Sequence, residues 1–157
     1  MEDIEIHTYS KIIFTDIDGV LNSAYYTSTT GGGISLIEES KVKNLKKIMD
    51  ATGAVVVVVS RANAFMGKEF DEARINGIKQ YGVFPLDSIR DIEFQDSKVG
   101  PIRRWLKRNN TEDSAFVVLD DCPSNLQQEF GNRFIHIAGK HGLTPKYVKK
   151  AIEILNT

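Results

Sequence analysis

The stretch that decides the fold is Lys11-Ile-Ile-Phe-Thr-Asp16-Ile-Asp18-Gly-Val-Leu21. It predicts a short apolar strand that runs directly into two aspartates, one residue apart. Side chains at i and i+2 of a strand point to the same side. Two carboxylates on one side repel each other unless a cation lies between them or they share a proton. Gly19 allows a sharp turn and a close approach to a ligand. The segment therefore indicates a metal-assisted site in which one carboxylate can act as a nucleophile.

Length and composition exclude several classes of protein. The chain has 157 residues and a net charge of −1, so we expect a single domain over residues 1–157 and no global attraction to nucleic acid or anionic membranes. No apolar run approaches the roughly 20 residues that span a bilayer, and the acidic start lacks the basic region of a signal peptide. The single cysteine, Cys122, is typical of a reducing compartment. We therefore expect a cytoplasmic protein without a membrane partner.

Apolar runs and helix signals alternate along the chain. Such alternation predicts an α/β fold, with a parallel sheet of about five strands and helices on both faces. The stretch from Asn22 to Gly33 has no clear period and predicts a long loop. The predicted strands cover residues 11–15, 54–59, 83–84, 115–119 and 133–137. The predicted helices follow the capping box Ser35-x-x-Glu38, occupy 65–80, follow Ser97, cover 124–130 and follow Thr144-Pro145.

Polar side chains follow three of these strands at the point where each strand ends. Asp16 and Asp18 follow the first strand, Ser60 the second, and Asp120 and Asp121 the fourth. Ligands of parallel sheets bind beyond the carboxyl ends of the strands. Oxygen ligands without a Cys/His cluster favour Mg²⁺ over zinc. Mg²⁺ beside a free carboxylate favours phosphoryl transfer through an aspartyl-phosphate.

These pieces, in this order, resemble the haloacid dehalogenase (HAD) superfamily of phosphohydrolases. The resemblance spans Ile12 to about Ile154 and implies a three-layer Rossmann-like HAD fold. Within the superfamily, the chain is similar to the HAD domain of Swiss Army Knife RNA repair proteins. The residues that carry the resemblance are Asp16-Ile-Asp18-Gly-Val-Leu-Asn22, Thr52-Gly-Ala, Val55 to Ser60, Lys98 with Trp105-Leu106, Val117-Val-Leu-Asp120-Asp121 and Gly142-Leu143-Thr144.

The resemblance implies a role for each matching residue. Asp16 would be the nucleophile, and Asp18 would protonate the leaving oxygen and then deprotonate the attacking water. Ser60 and Lys98 would hold the transferring phosphoryl oxygens. The Mg²⁺ ligands would be Asp16, the main-chain carbonyl of Asp18, and Asp120, with Asp121 acting directly or through a water.

The second motif departs from the family pattern. The family continues Ser-Ser-x-Trp-Arg, whereas this chain has Ser60-Arg61-Ala62-Asn63. The tryptophan is missing and the arginine is displaced, although Arg61 could still reach a phosphate. The departure motivates an alternative hypothesis, a non-catalytic module that binds a phosphorylated ligand on a HAD scaffold.

Loop lengths bear on the substrate. About 20 residues separate Asp18 from the first predicted helix and about 37 separate Ser60 from Lys98, and neither gap holds a folded cap domain. An open site suits a macromolecular substrate. The near-neutral charge favours a phosphoprotein, for example one carrying phosphotyrosine, whereas the resemblance favours a polynucleotide end in RNA or DNA repair. Both stay open here, and no obligate partner is indicated, although a repair role would require a separate ligase or kinase.

Overall fold

The structure is a computed structural model that describes residues 9–30, 36–93 and 97–157. In these ranges, strands and helices alternate along most of the chain. No helix among them combines the length and the apolar character needed to cross a membrane. The strands are β1 (Lys11–Thr15), β2 (Val55–Val59), β3 (Asp87–Ile89), β4 (Ala115–Asp120) and β5 (Phe134–His136). The helices are α1 (Ala24–Thr30), α2 (Glu39–Thr52), α3 (Arg61–Met66), α4 (Lys68–Gln80), α5 (Val99–Arg108), α6 (Leu126–Phe130) and α7 (Pro145–Leu155).

The five strands form one parallel sheet in the order β3-β2-β1-β4-β5. The central strand is β1, in which Phe14 pairs with Val57 on one side and Val118 on the other. β2 consists of five valines, of which the last four are buried. A continuous β-branched run of this kind is typical of a strand covered on both faces. The predicted parallel α/β sheet of about five strands is therefore confirmed.

Two apolar cores lie on opposite faces of the sheet because alternate side chains of a strand point to opposite sides. Ile13 and Val56 belong to one core, together with residues of α2, α4 and α7. Phe14 belongs to the other core, where its ring lies 5.5 Å from the ring of Trp105 on α5. The result is the expected three-layer arrangement of helices, sheet and helices.

The prediction of a continuous loop after Asn22 is wrong, because α1 occupies residues 24–30. The Oγ of Ser23 accepts a hydrogen bond from the backbone N–H of Tyr26 (3.0 Å), which caps the helix. The N–H of Ala24 donates to the carbonyl of Gly139 (3.0 Å) and anchors its start. None of the residues of α1 is buried, so the segment has no apolar stripe that could have revealed a helix. Residues 31–33 of the predicted loop and the predicted cap Ser35 lie outside the described residues.

The third strand is also displaced from its predicted position. We expected it at Val83-Phe84, but β3 begins at Asp87. Val83 is buried as expected, whereas Phe84 is 69% exposed. Pairing with β2 begins where the N–H of Leu86 donates to the carbonyl of Val56 (2.7 Å). Only Ile89 of the three strand residues is buried, and the other two, Asp87 and Ser88, form side-chain hydrogen bonds with Trp105 and Asp71. This edge strand therefore lacks an apolar signature.

Candidate active site

The carboxyl ends of β1, β2 and β4 open into a cavity of about 250 Å³. This is the edge of the sheet at which ligands of α/β proteins bind. The structure brings to this cavity every residue that the sequence predicted for the site. These are Asp16, Asp18, Ser60, Arg61, Lys98, Asp120 and Asp121.

Three carboxylates crowd together on one side of the cavity. Asp16, Asp120 and Asp121 each place an oxygen within 4.8 Å of the other two. The Oδ1 of Asp16 accepts a hydrogen bond from the N–H of Ile17 (2.8 Å), and the Oδ1 of Asp120 accepts one from the N–H of Cys122 (2.9 Å). Burial raises the pKa of Asp16 well above its usual value, because Lys98 only partly offsets burial and Asp120 adds to it. Burial and the charge of Asp120 also raise the pKa of Asp121.

Lys98 supplies a positive charge inside this cluster. Its Nζ lies 2.6 Å from Oδ2 of Asp120 and 3.3 Å from Oδ2 of Asp16. Burial disfavours the ammonium charge, but Asp16 and Asp120 outweigh burial and raise the pKa of Lys98. Lys98 precedes α5, so the packing of that helix on the sheet fixes where the charge lies.

Two glycines make room for Asp121. Gly19 has a φ of +82°, and a Cβ built on it would lie 2.3 Å from Oδ2 of Asp121. A Cβ on Gly139 would lie 3.0 Å from the same oxygen. The carboxylate therefore fits only against a backbone without side chains. An oxygen-only donor set with crowded negative charge suits a hard divalent cation, so the residues present fit the Mg²⁺ that we expected from the sequence.

The carboxylate of Asp18 has a separate set of partners. Nη1 of Arg74 donates a hydrogen bond to Oδ2 of Asp18 (3.0 Å), and Nη2 of Arg74 lies 3.0 Å from Oδ1. The Nδ2 of Asn22 donates to Oδ1 of Asp18 (3.1 Å), while the Oδ1 of Asn22 accepts from the N–H of Gly19 (3.0 Å). Sequence reasoning missed both partners. Asn22 is the last residue of the Asp-Gly-Val-Leu-Asn segment, which was its only signal in the sequence. Arg74 belongs to no motif and lies 56 residues from Asp18.

Ser60 and Arg61 stand at the junction of β2 and α3. The Oγ of Ser60 accepts a hydrogen bond from the N–H of Asn63 (3.3 Å) and so caps α3. Its O–H remains able to donate to an anion in the cavity. The side chain of Asn63 donates in turn to Oδ1 of Asp71 (2.8 Å), which ties the altered second motif to α4.

Comparison with known proteins identifies one family. The family described as the HAD domain in Swiss Army Knife RNA repair proteins matches residues 12–148, which include every cavity residue and all of the sheet except Lys11, the first residue of β1. Comparison with curated proteins and with solved structures found no match. Because the family match covers most of the chain and the sheet has the expected parallel architecture, the chain belongs to the family of HAD domains in Swiss Army Knife RNA repair proteins.

Proposed function

We propose that the chain is a Mg²⁺-dependent phosphomonoester hydrolase that works through an aspartyl-phosphate. The observation that carries the proposal is the position of Asp16, at the end of the central strand and in one cavity with three further carboxylates and a buried lysine. Family membership supports a HAD-type phosphatase activity in general. The particular residues and the mechanism are our inference from the geometry.

In the first step, a carboxylate oxygen of Asp16 forms a bond to phosphorus while the bond from phosphorus to the leaving oxygen breaks. Asp18 gives its proton to that leaving oxygen. In the second step, Asp18 takes a proton from a water whose oxygen attacks phosphorus. The bond between phosphorus and Asp16 breaks, and inorganic phosphate leaves. Both steps use side chains that line the same cavity.

The negative charge of the transferring group needs compensation. Lys98, Arg61 and the hydroxyl of Ser60 line the cavity and are suited to phosphoryl oxygens. Mg²⁺ would be held by Asp16, Asp120, Asp121 and the main-chain carbonyl of Asp18. The bound ion supplies charge neutralisation at the phosphoryl oxygens and between the carboxylates.

The substrate is a macromolecular phosphomonoester in this proposal. Among the described residues, only the seven-residue helix α1 lies between the central strand and α2, which is too little chain for a cap domain that encloses a small metabolite. A phosphoprotein side chain, such as phosphotyrosine, suits this open site and the net charge of −1. The second candidate is the phosphorylated end of a polynucleotide, which the family description favours.

The test is hydrolysis of 4-nitrophenyl phosphate with Mg²⁺ and with EDTA. We expect Mg²⁺-dependent turnover that disappears in Asp16→Asn but persists in Asp50→Asn, a control that removes an exposed aspartate on α2. Full activity of Asp16→Asn would end the nucleophile assignment. Tight Mg²⁺-dependent binding of phosphorylated ligands without turnover would favour the binding module instead.

The same assay should be extended to phosphotyrosine peptides, phosphoserine peptides, nucleotides, and oligonucleotides with a 3′- or 5′-phosphate. Preference for a peptide supports the phosphoprotein assignment. Preference for one oligonucleotide end supports the second candidate, and preference for free nucleotides contradicts a macromolecular substrate.

A further inference from the structure

Arg74 is the feature that the proposed chemistry leaves unexplained. It lies on α4, its side chain is 0% exposed, and it is among the largest fully buried side chains of the described residues. Arginine is almost never fully buried unless its charge is paired. The ionic partner of Arg74 is Asp18, and its guanidinium also lies 5.2 Å from the ring centroid of Phe70. A buried cation has therefore been brought to the carboxylate beside the cavity.

The contacts of Arg74 restrain both oxygens of Asp18. One oxygen accepts a hydrogen bond from Nη1, and the other lies 3.0 Å from Nη2 and also accepts from Asn22. The side chain of Asp18 remains 42% exposed. Its carboxylate can therefore reach a substrate in the cavity while Arg74 and Asn22 contact its oxygens. The hydrogen bond from Nη1 and the close ionic contact from Nη2 hold both oxygens from one side, which restricts rotation of the carboxylate more than a single point charge would.

We propose that Arg74 is a positioning residue that, together with Asn22, orients Asp18 toward the leaving oxygen of the substrate. This inference rests on the proposed function, in which Asp18 is the general acid and base. Orientation matters because a displacement of about 1 Å in a reacting group can cost about 100-fold in rate. Arg74 does not touch the substrate in this proposal and acts only through Asp18.

Fold stability alone gives a weak reason for this pair. Buried ion pairs can often be replaced by apolar side chains of similar volume at little cost, because desolvation offsets the attraction. Both Nε and Nη2 of Arg74 also lack a hydrogen-bond partner, and an apolar side chain would bury no such unpaired donors. A role in holding Asp18 accounts for a charged group where an apolar one would pack well.

The test compares two substrates of similar shape that differ in the leaving group. Nitrophenolate departs from 4-nitrophenyl phosphate without a proton, whereas the alkoxide of benzyl phosphate requires one. The quantity measured is kcat/KM, which covers binding and the first chemical step. In Arg74→Met we expect a loss of about 100-fold for benzyl phosphate and a loss of less than about 10-fold for 4-nitrophenyl phosphate.

Three further variants make the test specific. Arg74→Lys retains the charge and should recover part of the loss with benzyl phosphate. Arg103→Met removes an exposed arginine of α5 that pairs with Glu129, and it should leave kcat/KM unchanged for both substrates. In an Asp18→Asn background, Arg74→Met should add no further difference between the two substrates, because Arg74 acts through Asp18.

Equal losses for both substrates in Arg74→Met, or no loss in either, would overturn the inference and leave the proposed function standing. If Arg74→Met does not fold, Arg74→Lys and Arg74→Gln carry the same comparison. Failure of the unmodified chain to hydrolyse either substrate with Mg²⁺ would overturn the proposed function and this inference with it.

Discussion

Replacement of Lys98 by methionine should strongly destabilise the folded protein, because the carboxylates around it would then repel one another. Lys98 is buried between Asp16 and Asp120, with N–O distances of 3.3 and 2.6 Å. Methionine fills similar space but carries no charge. In Lys98→Met, three carboxylates within 4.8 Å of one another would lack this neutralising cation.

The magnitude follows from the burial of the pair. Removing one partner of a buried charge pair costs about 3–5 kcal/mol in the free energy of unfolding. We take about 3 kcal/mol, because a carboxyl with a raised pKa relieves part of the repulsion by taking up a proton. For a domain of this size, about 3 kcal/mol lowers the melting temperature by about 6–12 °C.

The assay is thermal unfolding at neutral pH in EDTA, with Lys46→Met as the matched control. Lys46 pairs with Asp50 at 3.1 Å on the surface of α2, with both side chains largely exposed. Such a pair contributes about 0–1 kcal/mol. Mg²⁺ at about 100 times its dissociation constant should raise the free energy of unfolding of Lys98→Met by about 2.7 kcal/mol, because the folded carboxylate cluster still binds the ion.

The pH supplies an independent check. Lys98 opposes the rise in the pKa of Asp16, so its removal should push that pKa higher still and allow a proton to replace the lost charge in mild acid. The stability difference between Lys98→Met and the unmodified protein should therefore shrink as the pH falls. A loss in EDTA no larger than that of Lys46→Met, or a loss that does not shrink as the pH falls, would refute the view that Lys98 neutralises the cluster.

Three further outcomes are expected. Asp16→Asn should abolish hydrolysis. It should also raise the free energy of unfolding of the metal-free protein at neutral pH, because the folded state disfavours the negative charge of Asp16. A loss of stability of this variant in chemical denaturation would contradict the expected stabilisation. Because the pKa of Asp16 is raised in the folded state, its contribution to the unfolding free energy should fall as the pH rises above 3.8. In metal-free protein, the stability of Asp16→Asn relative to the unmodified chain should therefore increase with pH, and a constant difference would contradict this. Gly19→Ala places a Cβ 2.3 Å from Oδ2 of Asp121 and should weaken Mg²⁺ activation by about 10-fold or more. The control Gly53→Ala is also at positive φ but has no neighbour within 4 Å, so it should cost only about 1 kcal/mol of stability. Similar Mg²⁺ titrations for the two variants would contradict the close packing of Asp121 against Gly19.

Much of the fold could be predicted from the sequence because its signals are local. The run of five valines in β2 and the apolar residues of β1 predict strands that are buried on both faces. Gly53 follows α2 with a positive φ of 75°, a conformation that is common for glycine after a helix. The carboxylates of the site also follow strands directly, so the shared geometry of parallel strands was enough to expect them at one edge.

The errors fall where an element lacks a buried face. The helix α1 has no buried residue, and its stability comes from the Ser23 cap and a bond to the distant Gly139. The edge strand β3 buries only Ile89 and pairs through its backbone. Backbone pairing of this kind leaves almost no trace in the order of side chains.

The sequence by itself determined the parallel sheet and the placement of Asp16, Asp18, Asp120 and Asp121 at strand ends, because a hydrophobic pattern and its interruption are short-range properties. Only the tertiary structure decided which charges meet. Arg74 contacts an aspartate 56 residues away, and Lys98 contacts one 22 residues away. The packing of α4 and α5 against the sheet sets these pairs. The local sequence around a helical arginine or lysine does not show whether its charge faces solvent or a buried carboxylate, so these pairs could not be predicted.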